Sequence, residues 1–531
     1  MPARTGGKSG QFVGNEQSAV TVINSATVDG INGYIIKVEA SHTLSEHQQF
    51  DIIGLPDAAV KESVGRVRAA ARSSRMSVKV GVLTVNLAPA FIKKEGSGFD
   101  LPILLSVLSK PDLSSACLDD KCFIGELSLT GVLRPVRGAL SMAIAAKENG
   151  IKEIFVPEEN AMEAAASGMT VYPVGDVTSL IDHLLGKKLI TPVEFSFDKF
   201  NTDAMTCTLD YCDVKGQELA KRAVEIAAAG YHNLLMLGPP GTGKSMIASR
   251  IPSIMPPLSV AEAIDTTKIH SVAGILPPNC SLVTERPFRS PHHTISPVGL
   301  AGGGKNPRPG EISLAHNGVL FLDELPEFDK RSMEILRQPI EQNIITITRA
   351  NGTVTFPSDF MLVAAMNPCK CGFYGHSTKP CICSDASRKA YLSKISGPLL
   401  DRIDIHVRVG SLDFSHVSET KPSESSAEIR KRVLAAREFA RKRFESMAEQ
   451  GETPPLFNSR MTPSQVRRFC LVDDAGNAML KNVFEKLAMS ARGYNKILKL
   501  ARTIADFDRS DDIKAPHIAQ AVQFRTLDRE I

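Results

Sequence analysis
The 531-residue chain has no tryptophan, and its aromatic residues make up only 6% of the total. One common side chain for stacking on nucleic-acid bases is therefore missing. No apolar run approaches the ~20 residues that a membrane-spanning helix needs, and no signal-type segment stands at the start. A cytoplasmic protein is expected. Excess charge is scarce as well: 62 Lys and Arg against 58 Asp and Glu leave +4 at pH 7. That balance neither demands nor excludes a nucleic-acid partner. No internal repeat is found, which excludes a repeat array.

What is present suits a large multidomain α/β protein. Hydrophobic residues supply 43% of the chain, and its length predicts roughly three domains. Residues 1–18 are rich in Gly, Ser and Lys and are expected to be a disordered tail. From 19 to 186 the patterning is mixed α/β. Val78 to Val85 alternates as a strand, and helical periodicity runs over Asp57 to Ser73, Leu101 to Leu108 and Gly138 to Asn149. A polar linker is expected at 187–206, a motor core at 207–410, a second linker at 411–426 and a helical block at 427–531.

The motor core carries the chemistry. Leu234-Leu235-Met236-Leu237 reads as an apolar strand entering Gly238-Pro239-Pro240-Gly241-Thr242-Gly243-Lys244-Ser245, with helical sequence from Met246 to Arg250. This is the complete G-x-x-x-x-G-K-[ST] phosphate loop in its strand-to-helix context. Its glycines let backbone N–H groups close around phosphates, and the helix N-terminus adds a favourable dipole. Lys244 is expected to reach the β- and γ-phosphates, and Ser245 to place its hydroxyl on Mg2+. A second apolar run, Gly318 to Leu322, ends in Asp323, expected to hold Mg2+ through water, and Glu324, expected to polarise the attacking water as general base. A third, Phe360 to Met366, delivers Asn367 where a γ-phosphate sensor would sit. Together they predict an ATPase with a doubly wound parallel sheet, using ATP and Mg2+.

Of ten cysteines, Cys117, Cys122, Cys207, Cys212, Cys280 and Cys470 are scattered and read as reduced core residues. Cys369, Cys371, Cys381 and Cys383 are clustered as two Cys-x-Cys pairs. Four thiolates can hold a structural Zn2+; a reducible disulfide pair or unliganded thiols also fit this spacing. His376 lies within the loop as an alternative ligand. A catalytic zinc does not fit, because four thiolates leave no open position.

Several segments carry a family resemblance. Arg286-Pro287-Phe288-Arg289-Ser290-Pro291-His292-His293-Thr294, Pro309 to Gly318 and Asp323-Glu324-Leu325-Pro326-Glu327-Phe328 resemble the signatures of the ComM/YifB family, the bacterial magnesium chelatase-like AAA+ ATPases. Gly54 to Ser63, Lys94 to Asp100, the cysteine cluster and Ala501 to Asp506 extend the match over nearly the whole chain. The resemblance implies an AAA+ core with a C-terminal helical lid. It also implies a homohexameric ring that acts on branched DNA during natural transformation, extending the heteroduplex begun by a recombinase. Leu399 to Asp404 resembles the arginine-finger box of this clade, which makes Arg402 the finger; an Arg–Asp pair tying down a helix end is the plainer reading. Ser490-Ala491-Arg492-Gly493-Tyr494 opens a long helix where family members carry a second sensor arginine, here Arg492. The family's His-Arg is Asn495-Lys496 in this chain, so a role needing a bidentate fork at 496 is not supported.

The N-terminal block resembles the proteolytic domain of Lon proteases, a ribosomal S5-like fold. Leu140 stands where the catalytic lysine of that resemblance belongs, and Gly98 stands at the nucleophile position. Ser97 is one residue off and has no activating base, so no protease is expected.

DNA contacts are expected from two loops. Ile344 to Phe356 is two alternating strands around Asn351-Gly352, a hairpin signal, with Arg349 near the tip to bind phosphate. Gly302-Gly303-Gly304-Lys305-Asn306-Pro307-Arg308 is a glycine-rich loop bearing Lys305 and Arg308. Both loops also fit solvated turns or subunit contacts. The basic helix Ile429 to Phe444 reads as a solvated lid surface, and adjacent His292 and His293 point differently, against a metal pair. A metallochelatase-type motor subunit and a remodelling chaperone are the rival readings.

Overall fold
The computed structural model describes residues 20–109, 118–197, 209–349, 352–376, 379–411, 423–449, 451–487 and 489–525. The tail at 1–18, residues 198–206 of the first expected linker and 412–422 of the second, and Ala350, Asn351, Cys117 and Cys207 lie outside these residues. The chain divides into two units, Met1–Ser196 with Leu276–Ser281, and Phe197–Ile275 with Leu282–Ile531.

The first unit is built on a seven-stranded mixed sheet. Its strands are β1 (Thr21–Asp29), β2 (Asn32–Thr43), β3 (Gln49–Ile53), β4 (Val82–Ala88), β5 (Lys121–Phe123), β6 (Glu153–Pro157) and β7 (Thr170–Val174), in spatial order β3-β4-β2-β1-β5-β6-β7. The run expected to form one strand from Val78 breaks at Gly81. That glycine has φ +130°, and a Cβ there would lie 2.3 Å from the Thr43 carbonyl oxygen; the β4 ladder starts at Val82, while Val78 makes a separate antiparallel bridge to Leu108. All three expected helices form: α1 (Ala58–Ser73), α2 (Asp100–Val107) and α3 (Ala139–Glu148). Asp57 starts α1 by accepting the Val60 N–H at 2.8 Å, and Gly138 precedes α3 with φ +77°. Leu140 is fully buried in α3, so a core leucine fills the position compared with a protease lysine. The Ser97 hydroxyl donates to the Glu126 carboxylate.

The second unit holds a five-stranded, all-parallel sheet. Its strands are β8 (Leu234–Leu237), β9 (Phe288–Arg289), β10 (Val319–Leu322), β11 (Met361–Met366) and β12 (Ile405–Arg408), ordered β9-β10-β11-β8-β12. β8, β10 and β11 are buried throughout, as expected for parallel strands covered on both faces. Each fully buried Leu, Val, Phe or Met contributes about 1.5–3 kcal/mol. Helices α4 (Glu218–Gly230), α5 (Ser426–Glu449) and α6 (Ala491–Phe507) share one hydrophobic core with this sheet, through residues such as Val224, Val433 and Leu500. The side chain of Ser490 accepts the Gly493 N–H at 3.1 Å and starts α6 where the sequence placed it. No helix among the described residues is long and apolar enough to cross a membrane.

Candidate nucleotide site and neighbouring clusters
Parallel pairing brings the chemistry to one sheet edge. Leu237 pairs with Met366 and Leu322 with Ala364, so Gly238, Asp323 and Asn367 all leave at the carboxyl ends of neighbouring strands. Crevices for ligands form at such an edge, where the strand order reverses. Gly238 is obligatory by space, since a Cβ would sit 2.2 Å from the Val409 carbonyl oxygen. Gly241 and Gly243 have φ +80° and +87°, left-handed values that leave the loop open. Thr242 Oγ1 donates to Pro239 O at 2.9 Å, while Pro240 and Gly241 are exposed.

Lys244 begins a short helix, Lys244–Ser249, and is buried. Its Nζ donates to Gly238 O and Pro239 O, both at 2.7 Å, and reaches Asn367 Oδ1 at 3.4 Å. Burial lowers its pKa, against the attraction of Asp323 and Glu324. Ser245 Oγ donates to Asp323 Oδ2 at 2.7 Å. The hydroxyl expected on Mg2+ and the carboxylate expected to hold that ion through water thus lie side by side.

Glu324 is exposed, with φ +51°. Its Oε2 lies 3.5 Å from His293 Nδ1, a contact that the sequence did not reveal. His293 also meets Phe328 edge-on, and its ring centroid lies 4.1 Å from that of His292 with the planes tilted by 33°. Behind Asn367 the Tyr391 ring is buried. Its pKa is raised by burial and then by Glu327 and Glu324.

Arg402 and Arg492 converge on one carboxylate. Arg402 Nη2 lies 2.7 Å and Arg492 Nη2 3.1 Å from the same oxygen of Glu341. Arg402 also donates to Pro398 O at 2.5 Å, and its buried Nε has no hydrogen-bond partner among the described residues. The carboxylate on Arg402 is thus a glutamate distant in sequence, not the neighbouring aspartate of the plainer reading. These residues line a cavity of about 600 Å³ that also takes in Arg460, Lys496 and Lys499. Lys496 is turned inward and pairs with Asp404 at 2.8 Å. Burial works against the Asp404 carboxylate, yet Lys496 and His232 outweigh it and hold it well below the usual range. Position 496 thus carries a structural ion pair.

The two basic loops are neighbours. Ile344–Arg349 pairs in full antiparallel register with Gly352–Pro357. The glycine-rich segment is itself a small paired hairpin, Gly302–Gly303 against Arg308–Pro309, rather than an irregular loop. Arg349 lies over it: a Cβ on Gly303 would stand 3.1 Å from Arg349 Nη2. Lys305, Arg308 and Arg349 are all exposed. On α5, by contrast, Arg432 pairs with Glu225 and Glu424, Arg441 with Glu438 and Glu445, and Arg443 with Asp506.

The thiols of Cys369, Cys371, Cys381 and Cys383 lie within 4.8 Å of one another, and all four are free. His376 is outside this group; its Nδ1 accepts the Lys379 N–H at 3.2 Å. Among the scattered cysteines, Cys122 and Cys470 are buried as expected, whereas Cys212 and Cys280 are only partly so.

Three family models match successive parts of the chain: "Subunit ChlI of Mg-chelatase" over residues 36–160, "Magnesium chelatase, subunit ChlI" over 210–417, and "Magnesium chelatase, subunit ChlI C-terminal" over 423–525. The YifB protein of Escherichia coli (strain K12) is 39% identical, covering 96% of this chain and 98% of its own length. The competence protein ComM of Haemophilus influenzae is also 39% identical, with the same two coverages. A more distant likeness, 22% identity over 64% of this chain and 39% of the relative, links it to the maternal DNA replication licensing factor mcm6 of Xenopus tropicalis.

Proposed function
The chain belongs to the ComM/YifB family of magnesium chelatase-like proteins, and on that premise we propose that it is an ATP-hydrolysing, hexameric ring motor that moves branch points in DNA. The observation that carries the ATPase half is the convergence of Lys244, Ser245, Asp323 and Asn367 at one sheet edge. Backbone N–H groups from Gly241 to Ser245 cradle the phosphates. Lys244 leaves its two loop carbonyls for the β- and γ-phosphates, and Asn367 meets the γ-phosphate. Ser245 and, through water, Asp323 would hold Mg2+, which would supply positive charge beside the transferred phosphoryl group. Glu324 accepts the proton of the attacking water.

His293 positions Glu324 by holding one carboxylate oxygen. His293→Ala is expected to lower kcat about tenfold, equivalent to ~1.4 kcal/mol of barrier, while nucleotide affinity stays within about twofold. Steady-state phosphate release and titration with a fluorescent nucleotide separate the two. An unchanged kcat would remove His293 from this role.

The DNA half is supported by the kinship with a competence protein, the distant likeness to a replication licensing factor, and three exposed cations on adjoining hairpins. Such cations bind phosphate without reading sequence, as a motor crossing arbitrary heteroduplex requires. In natural transformation this activity would extend what a recombinase starts. The test is ATP-dependent resolution of a synthetic four-way junction. Wild type should resolve it, Lys244→Ala should not, and Arg349→Ala should bind more weakly with a shallower salt dependence, its log–log slope reduced by roughly one. Brisk ATP hydrolysis without binding or movement of the junction would reject the DNA reading and turn attention to protein or tetrapyrrole substrates.

A further inference from the structure
The cysteine cluster and the phosphate loop touch. After Met366 ends β11, Asn367 is followed two positions later by Cys369, which is completely buried. Cys369 Sγ lies 3.3 Å from Cys371 Sγ and 3.7 Å from Cys381 Sγ, and Cys371 Sγ lies 3.7 Å from Cys381 Sγ. Cys383 closes the group, its N–H donating to Cys381 Sγ at 3.4 Å. A disulfide would bring two sulfurs to about 2.05 Å, so these separations are not those of oxidised pairs. Four thiolates on a tetrahedral Zn2+, with Zn–S near 2.3 Å, stand about 3.8 Å apart. The two 3.7 Å separations match that arrangement, the 3.3 Å one is shorter, and all four sulfurs lie within 4.8 Å of one another.

The same loop then presses on the nucleotide site. Gly372 has φ +84°, and its N–H donates to Cys369 O at 2.9 Å. A Cβ on Gly372 would lie 2.7 Å from Pro240 Cδ and 3.2 Å from its Cγ. One end of the cysteine loop thus continues from the residue that faces Lys244, and its turn packs on the exposed proline of the phosphate loop. Cys371, Cys381 and Cys383 are each partly exposed, Ile382 is exposed, and Tyr374 is half-exposed with the Arg388 guanidinium 3.9 Å over its ring.

We propose that Cys369, Cys371, Cys381 and Cys383 bind one zinc ion, and that this ion staples the loop so that Asn367 and Pro240 hold their positions around the bound nucleotide. The zinc assignment stands on the thiol geometry alone; the staple rests on the ATPase reading. Metal binding to such a loop supplies the ordering that its small apolar surface does not.

The test uses the full chain, purified after expression with zinc in the medium. Elemental analysis should find one zinc per chain, and X-ray absorption at the zinc edge should show four sulfurs near 2.3 Å. The double variant Cys381→Ser/Cys383→Ser should lose the metal while keeping its far-ultraviolet circular dichroism, and ATP turnover should fall roughly ten- to a hundredfold through misplacement of Asn367. Gly372→Ala keeps all four ligands. It should retain zinc yet lose turnover by a similar factor, because its methyl group displaces Pro240. Iron in place of zinc, no metal, or nitrogen and oxygen ligands would overturn the zinc assignment. Wild-type turnover and nucleotide affinity in a folded, metal-free double variant would overturn the staple. If zinc-loaded wild type neither binds nor hydrolyses ATP, the ATPase reading and its staple fail while the metal stoichiometry stands.

Discussion

Lys244→Ala chains are expected to lose ATP binding and hydrolysis together, whereas Glu324→Gln chains should keep binding and lose only turnover. The difference lies in what each side chain touches. Lys244 is buried, 2.7 Å from two loop carbonyls and 3.4 Å from Asn367, so it sits where phosphate oxygens must enter in both ground and transition states. Removing it subtracts binding from both. Glu324 is exposed and contacts His293; it has no phosphate to hold, and its proposed task arises only as water attacks. General-base removal costs about 10²–10⁴ in kcat, and glutamine preserves the shape of the side chain beside His293. Fluorescent-nucleotide titration should therefore give Glu324→Gln a Kd near wild type beside almost no phosphate release. A Glu324→Gln chain that still turned over at wild-type rate would move the base elsewhere.

Features written in local chemistry were legible before the fold was known. The apolar runs at Leu234, Val319 and Met361 became the buried parallel strands, because continuous apolar sequence suits a sheet covered on both faces. Asp57 and Ser490 marked helix starts through their capping oxygens. The Ile344 to Phe356 alternation gave the hairpin in full register. What stayed hidden depended on distant chain segments meeting. Nothing near Glu341 signals that Arg402 and Arg492 will share it, nor does Gly372 announce that it will seat against Pro240. The glycine-rich loop read as irregular because two-residue strands carry no periodicity; its pairing follows from Gly302, where a Cβ would stand 2.3 Å from Arg308 O. His292 and His293 served only as part of a family signature until the contact with Glu324 gave one of them a partner.

Arg402→Ala alone should reduce ATP turnover by about 10³, the lower end of what a trans-acting arginine supplies in phosphate-loop enzymes, yet equimolar mixing with inactive Lys244→Ala chains should restore activity. Within one chain the partners of Arg402 and Arg492 are Glu341 and a backbone carbonyl, among the described residues, and not the phosphate loop. Two arginines gathered on one carboxylate beside a cavity are either a fold clamp or a cationic face that a second subunit's nucleotide completes. The clamp reading predicts a stability loss. It should be small, because Glu341 is 42% exposed and keeps Arg492, so the cost is ~1 kcal/mol rather than the ~3–5 of a fully buried pair. Arg402→Lys sharpens the contrast: it retains charge but not the planar fork, and should melt near wild type while remaining slow. In mixed rings an Arg402→Ala chain keeps an intact phosphate loop, and a Lys244→Ala neighbour still offers its arginine. Roughly a quarter of interfaces would then be whole if subunits assemble at random in a closed ring, and turnover should recover in that proportion. Mixtures that stay as inactive as their components would mean that Arg402 acts inside its own chain, and the shared Glu341 would then be its whole purpose.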